Sequence, residues 1–412
     1  VSEALGGIRI IDLTMGWAGP LATRNLADMG ADVIKVESCE RFDWWRSWEA
    51  TPEWIANDGA EKSVQFNMVN RNKRGITLDL EHPEGRRLLL DLVATANAVV
   101  ENYSGGVLPK LDLGFEVFRS VREDVILLSM PAFGSTGPWR MFRAYGSTVE
   151  QSSGLPHLHG YAEDPPTMVH VAYGDAVGGL NGAAALLTAL RHQRRTGEGQ
   201  FVDLSQAESL FPLAAHGILE YAATGAPPPR QANRSRTCAP HGVYPCAPTE
   251  DEPDSWLVLQ VQTEDQWQSL VSRVPALSDF GGLEDRLARV DALDAAIAAW
   301  TRALTASSLM LELQGLGVPA AATRAMANVL REPQLQARRY WQWLDRPVVG
   351  NQPNPAAPFR LDSEPIPIRA PAPTLGQHNR EVLGDILGLD DDALASLEAQ
   401  GVIGTRPQLP SR

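Results

Sequence analysis

Along the N-terminal half of the chain, apolar runs of strand length alternate with segments of helical period. Residues 8–14 (IRIIDLT) are rich in β-branched side chains and predict a strand. A turn follows at Met15-Gly16-Trp17-Ala18-Gly19, and Pro20 suits the first turn of a helix reaching about Met29. Gly30 closes that helix, and residues 32–37 (DVIKVE) predict the next strand. Strand, helix and strand make a βαβ unit, which predicts an α/β protein with a parallel sheet. Further strands are predicted at 75–80 (GITLDL), 98–103 (AVVENY), 124–130 (DVILLSM) and 201–205 (FVDLS), with an amphipathic helix opening at Pro83 (PEGRRLLLDLVATA). Residues 182–191 (GAAALLTALR) are apolar around almost the whole helical circumference, so that helix is expected to be buried.

Composition changes after residue 224. Residues 225–236 (GAPPPRQANRSR) are Pro-rich and polar, as in an extended linker. The expected organisation is a large domain begun by residues 1–224, the linker 225–236, a smaller domain over 237–330, and a segment 331–412. That last segment is expected to be irregular over 345–373, with short helices at 380–387 and 391–400.

The balance of 36 Lys plus Arg against 50 Asp plus Glu gives a formal net charge of −14, which argues against nucleic acid or an anionic membrane as the main partner. It leaves room for a local basic pocket that takes a small anion. Cys39, Cys238 and Cys246 fit free thiols in a reducing cytoplasm; the spacing of Cys238 and Cys246 around His241 is not that of a zinc site, and no metal is expected. No apolar stretch has the length of a membrane span, and Val1-Ser2-Glu3 does not open like a secretory leader.

Asp175 stands out in the run Tyr173-Gly174-Asp175-Ala176-Val177-Gly178-Gly179, a lone carboxylate among small residues at the mouth of an apolar helix. Small neighbours admit another molecule's atoms, and a helix N-terminus offers N–H groups and partial positive charge, a setting for a nucleophile or a base. An ordinary helix-capping aspartate reads the same way. A dinucleotide site is disfavoured, because the first strand–helix turn reads M-G-W-A-G-P, with Trp17 where a small residue is needed.

Several stretches together resemble the family III CoA-transferases, a family that also holds the α-methylacyl-CoA racemases. They are 7–37 (GIRIIDLTMGWAGPLATRNLADMGADVIKVE), 70–85 (NRNKRGITLDLEHPEG), 100–107 (VENYSGGV), 174–179, 196–208 (TGEGQFVDLSQAE), 241–246 (HGVYPC), 333–340 (PQLQARRY) and 373–383 (PTLGQHNREVL). The resemblance implies a large Rossmann-like parallel-sheet domain completed by the returning C-terminal segment, a smaller α+β domain, and two chains interlocked as a dimer, either a homodimer or a heterodimer with a paralogous subunit. It implies coenzyme A, carried as acyl-CoA, and a carboxylic acid as substrates, with succinyl-CoA a candidate donor and Asp175 the catalytic nucleophile.

The same resemblance implies CoA-binding roles for Met15, Trp17, Ala18, Lys73, Arg74, Leu78, Asn102, Tyr103, Lys110 and Arg143. Lys73 and Arg74 have a second reading, as partners of acidic neighbours such as Asp79. The N–H groups of Gly178 and Gly179 are candidate oxyanion donors; backbone flexibility or close helix packing explains those glycines equally well. Trp44, Trp48 and Tyr145 are candidates for a substrate pocket, with padding of the core or of a dimer interface as the competing role. The His241 stretch reads as structural. The rival activity within the family is the racemase, which needs a second acid/base group. Racemases place Gly-His-Asp where this chain has Arg143-Ala144-Tyr145-Gly146-Ser147, and His157, His159 and His170 do not match that position, so transferase is favoured. A non-catalytic or partner subunit of a hetero-oligomeric transferase is the remaining alternative, against which the presence of Asp175 speaks.

Overall fold

The computed structural model describes residues 3–48, 50–168 and 171–409. The chain forms two compact units. One comprises the segment up to Pro156, Met168–Pro227 and everything from Arg338 onward; the other comprises His157–Thr167 and Pro228–Ala337.

The first unit is built on β1 (Arg9–Asp12), β2 (Asp32–Glu37), β3 (Arg74–Thr77), β4 (Ala98–Glu101), β5 (Ile126–Ser129) and β6 (Phe201–Asp203). All pair in parallel, in the order β3-β2-β1-β4-β5-β6. The near-continuous apolar runs are what a sheet covered on both faces requires. Ile11, Ile34, Ile76, Val99 and Leu127 face one side, packed on Leu88, Leu89 and Leu92 of α2 (Pro83–Ala94) and on Val382, Leu383 and Leu394 of the C-terminal segment. Ile10, Val33, Ala98, Ile126 and Leu128 face the other, packed on α1 (Ala18–Asp28) and on α4 (Tyr173–Thr196). A short α3 (Gly146–Ser152) lies against the first turn of α4.

Strand order reverses between β1 and β4, so a crevice opens beyond their C-terminal ends, where open α/β sheets bind ligands. The turn at that crevice rests on buried charge. Lys73 Nζ reaches Asp12 Oδ2 at 2.9 Å, and Lys35 Nζ reaches Asp43 Oδ2 at 2.9 Å. Arg46 bridges Glu37 and Glu61 at 2.9 and 3.0 Å, its guanidinium 3.6 Å from the centre of the Phe66 ring. Burial pushes the Asp12 carboxyl up, but Lys73 and Lys35 outweigh it and hold the group below its ordinary range. Burial pulls the Lys73 ammonium down to about 8 against the attraction of Asp12.

Two expectations change. Helix α4 is buried on one face only, through Gly178, Gly182, Leu186 and Ala189, while Ala184 and Thr188 are exposed; the apolar residues opposite find no cover within the unit. Residues 345–373 are not irregular throughout: Trp341–Arg346 pairs antiparallel with Gly350–Pro355, and Arg360–Leu361 with Glu364–Pro365. Two-stranded ladders leave every strand an open edge, which tolerates Pro353 and Pro355.

The second unit carries a three-stranded antiparallel sheet, β7 (His241–Pro245), β8 (Trp256–Gln260) and β9 (Ala320–Ala322), with β8 in the centre. Its core joins Tyr244, Leu257, Leu259, Trp267, Leu270, Leu293, Ile297 and Leu313. No helix among the described residues is long and apolar enough to cross a membrane.

Removing one partner of a buried ion pair strands the other. Lys73→Met is therefore expected to destabilise the protein by about 3–5 kcal/mol, measured by denaturant unfolding. A Lys73→Met protein of parental stability that has lost only CoA affinity would contradict the structural role.

Candidate active site

Asn102, just past β4, clasps the β1–α1 turn: its Oδ1 accepts the Met15 N–H and its Nδ2 donates to the Met15 carbonyl, both at 2.8 Å. Gly16, with φ +75°, donates its N–H to Asp43 Oδ1 at 2.8 Å, and a Cβ there would stand 2.2 Å from the Trp44 ring. Glycine is needed on both counts. Half-buried Trp17 lies against Trp45, ring centres 5.6 Å apart, and Ala18 begins α1, buried.

Helix α4 begins at Tyr173 after Ala172, which adopts left-handed torsions. Its cap comes from elsewhere: the carboxylate of buried Glu150, on α3, accepts the Tyr173 N–H at 3.0 Å. Asp175 is the third residue of the helix. Its half-buried carboxylate lies near the backbone N–H groups of Gly146 and Ala18, the first residues of two other helices, which favour its charged form. Burial pushes the carboxyl up to about 6, with the two amides pulling back.

Gly178 and Gly179 do not serve as free donors. They lie inside α4, where N–H groups bond to the carbonyl four residues earlier. A Cβ on Gly179 would stand 2.7 Å from the Ala18 carbonyl and 3.0 Å from Leu21 Cβ, and one on Gly178 would stand 3.1 Å from Gln206 Cγ. Both glycines are packing residues: Gly179 brings α4 against α1, and so Asp175 to Ala18, while Gly178 admits the Gln206 side chain.

A cavity of about 500 Å³ lies at the C-terminal ends of the strands. Met15, Leu78, Tyr103, Lys110 and Arg143 line it, as does Trp44. Two expected CoA ligands fall elsewhere. Lys73 is buried and spends its donors on Asp12, the Pro20 carbonyl and Asn70 Oδ1. Arg74 begins β3, at the opposite end of the strand, paired with Asp32 at 2.6 Å and Glu381 at 3.0 Å. Neither is available to a phosphate in the cavity. Their acidic partners are these residues, not Asp79.

Trp44, Trp48 and Tyr145 come together, with ring centres 4.4, 5.4 and 5.3 Å apart. Trp48 and Tyr145 keep 66% and 57% of their surface exposed. Tyr145 immediately precedes Gly146, so the cluster adjoins the Asp175 carboxylate. Trp54 is not part of it; that ring stacks on Phe42 at 5.5 Å. His157 and His159 belong to the second unit, and His170 lies outside the described residues. His241 is held by the Asn233 carbonyl at 2.6 Å.

Sequence reasoning missed several residues. Arg41 adds a third basic group to the cavity lining, paired with Glu81 at 2.8 Å. Arg41 lies shortly past the end of β2, and the ends of parallel strands are where open α/β sheets bind ligands, so its position was a usable signal. Glu101, buried at the end of β4, accepts the Tyr103 N–H at 2.8 Å and bonds the Ser129 hydroxyl; burial pushes it up to about 7. Asp43 and Glu150 left no local signal, because their partners are remote in sequence.

A family model described as CoA-transferase family III matches residues 5–379. The chain is 33% identical to succinyl-CoA–D-citramalate CoA-transferase of Chloroflexus aurantiacus, over 97% of this chain and 98% of that one. It is 32% identical to succinate–glutarate CoA-transferase of Agrobacterium fabrum, over 93% and 95%. The crystal structure of a CAIB/BAIF family protein from Brucella suis superposes with a TM-score of 0.82, at 29% identity, covering 94% of this chain and 100% of the other. Matches of that extent, running nearly end to end through the crevice and the helix that bears Asp175, mean that this chain belongs to CoA-transferase family III.

Proposed function

We propose that the protein moves CoA from an acyl-CoA donor, succinyl-CoA first among candidates, to a dicarboxylic acid through covalent intermediates on Asp175. The observation that carries this reading is the half-buried Asp175 carboxylate, faced by two backbone amides, in the same unit as a strand-end cavity edged by Arg41, Lys110 and Arg143. The names of the similar transferases, which pair succinate or succinyl-CoA with citramalate or glutarate, support the substrate class.

In the proposed reaction an Asp175 oxygen attacks the thioester carbonyl carbon, the C–S bond breaks, and CoA leaves as thiolate with the electron pair. The thiolate then attacks the aspartyl carbonyl of the mixed anhydride, releasing the donor acid as carboxylate and leaving an aspartyl–CoA thioester. The acceptor carboxylate repeats the exchange in reverse and departs as its CoA thioester. One negative charge passes between carboxylate and thiolate throughout, so no proton or ATP is consumed. Covalent catalysis divides the exchange into easier steps, and the Ala18 and Gly146 amides are placed to stabilise charge on the aspartyl oxygens. For CoA, the three basic residues supply partners for its phosphates, and Leu78, Val36 and Tyr103 supply apolar wall.

Residues 143–147 hold no histidine where the racemases place theirs, which supports transfer over proton exchange. The large domain is read as the first unit and the small one as the second. Helix Phe211–Thr224 exposes Leu213, Ile218, Leu219 and Tyr221, which supports cover by a second chain in an interlocked dimer. The buried free thiols Cys39, Cys238 and Cys246 support a reducing, cytoplasmic setting.

Asp175→Ala is expected to abolish turnover and retain CoA binding, while mass spectrometry of the parent with a panel of acyl-CoAs finds an adduct on the Asp175 peptide. Appreciable transfer by the variant would remove Asp175 from the mechanism.

Because the protonated carboxyl cannot attack, kcat/KM is expected to fall as pH drops through about 6. An acid limb near the ordinary aspartate value would contradict the buried setting. The sign for stability is opposite: a raised carboxyl pKa makes the ionised form costly in the fold, so Asp175→Asn is expected to unfold no more easily than the parent above pH 6.

Lys110→Ala and Arg143→Ala are each expected to weaken CoA binding about tenfold, measured by calorimetry, with little change in kcat at saturation. Unchanged affinities would move CoA out of this cavity.

A further inference from the structure

Gly146 begins α3, an unfavourable place for glycine on propensity alone, and its torsions are not among the left-handed ones that call for glycine. Space calls for it instead. A Cβ on Gly146 would stand 2.1 Å from Asp175 Oδ2 and 2.5 Å from Asp175 Cγ, against 3.4–4 Å for ordinary contact. The approach is fixed from both sides. A Cβ on Gly174 would stand 2.9 Å from the Gly146 carbonyl and 3.1 Å from Val149, so the two glycines let α3 press onto the first turn of α4. Glu150, one turn along α3, locks the pair by accepting the Tyr173 N–H.

We propose that Gly146 is a catalytic residue of the transfer: its backbone N–H faces the Asp175 carboxylate at close range, and its missing side chain leaves that carboxylate free to meet the thioester. The proposal rests on Asp175 being the nucleophile. Any larger residue drives the carboxylate off the Ala18 and Gly146 amides, and the space it fills is the space through which the acyl carbon approaches. In the anhydride and the aspartyl thioester the same N–H bonds the aspartyl carbonyl oxygen and stabilises the oxyanion formed when thiolate or acceptor attacks there. The same gap keeps a second acid/base side chain off this face of Asp175, which biases the site towards covalent transfer and away from proton exchange at the acyl α-carbon.

Gly146→Ala, introduced into the parent and into Asp175→Ala, tests this. In the parent it is expected to cut kcat and the rate of adduct formation on Asp175 about 100-fold or more, with CoA affinity retained. It should lower the melting temperature of the parent by clearly more than that of Asp175→Ala, where the carboxylate is gone and only the 3.0 Å contact with Ala172 Cβ remains. Failure to fold in the parent background alone supports the proposal for the same reason. Adduct formation at the parental rate would overturn it, as would an equal loss of stability, or failure to fold, in both backgrounds. If Asp175→Ala itself transfers CoA, the nucleophile assignment falls, and the two melting temperatures still report whether Gly146 and Asp175 meet.

Discussion

Asp43 joins three segments at one buried carboxylate. Lys35 of β2 lies 2.9 Å from it, and it accepts the N–H groups of Gly16 at 2.8 Å and Trp45 at 2.9 Å. The first contact anchors it in the sheet, the second holds the β1–α1 turn, and the third fixes the aromatic segment over that turn. Around it each buried acid has a buried base: Asp12 with Lys73, Glu37 with Arg46, Glu61 with Arg346. Buried ion pairs contribute little net stability, since desolvation offsets their attraction. What they provide is geometry, because any other arrangement leaves a charge unmatched. The turn so held delivers the Ala18 amide to Asp175 and Met15 to the cavity wall.

Under the proposed function Asp175 is tuned between two demands. A carboxylate stabilised by many donors is fully ionised but a poor nucleophile, whereas one buried without donors stays protonated. With burial pushing it up to about 6 and two amides opposing, it is ionised at neutral pH yet more basic than an exposed aspartate. The two amides begin helices α1 and α3, so in the proposed reaction they need not reorganise as charge shifts between oxygen and sulfur.

The parallel sheet was legible because β-branched, largely apolar runs such as residues 124–130 alternate with helical segments; the buried Lys35 and Glu37 within 32–37 depart from that pattern because their partners come from other segments. The position of Asp175 at a helix mouth was legible from the small residues around it. Its amide donors were not, since Ala18 and Gly146 approach only once α1, α3 and α4 are packed. Gly178 and Gly179 misled because a glycine that admits a ligand and a glycine that admits a helix look alike in sequence; the helix start at Tyr173 decides between them. Lys73 and Arg74 misled for a related reason. Charge shows what a side chain needs, not who supplies it, and their partners Asp12 and Asp32 lie on neighbouring strands. Residues 345–373 read as irregular because prolines mask a ladder that has only open edges.

The cavity edge shows how an acidic protein can hold a polyanion. Asp79 and Glu81 line it beside Arg41, Lys110 and Arg143, and Arg41 is paired with Glu81 while both are more than half exposed. An exposed pair of this kind contributes at most about 1 kcal/mol. A phosphate offers Arg41 two parallel hydrogen bonds and more charge than one carboxylate, so under the proposed function it takes Arg41 from Glu81 at small cost. Glu81 then faces solvent, where it needs no partner. Until then the acid keeps the arginine paired at the cavity edge, at an exposed site where opening the pair strands neither charge.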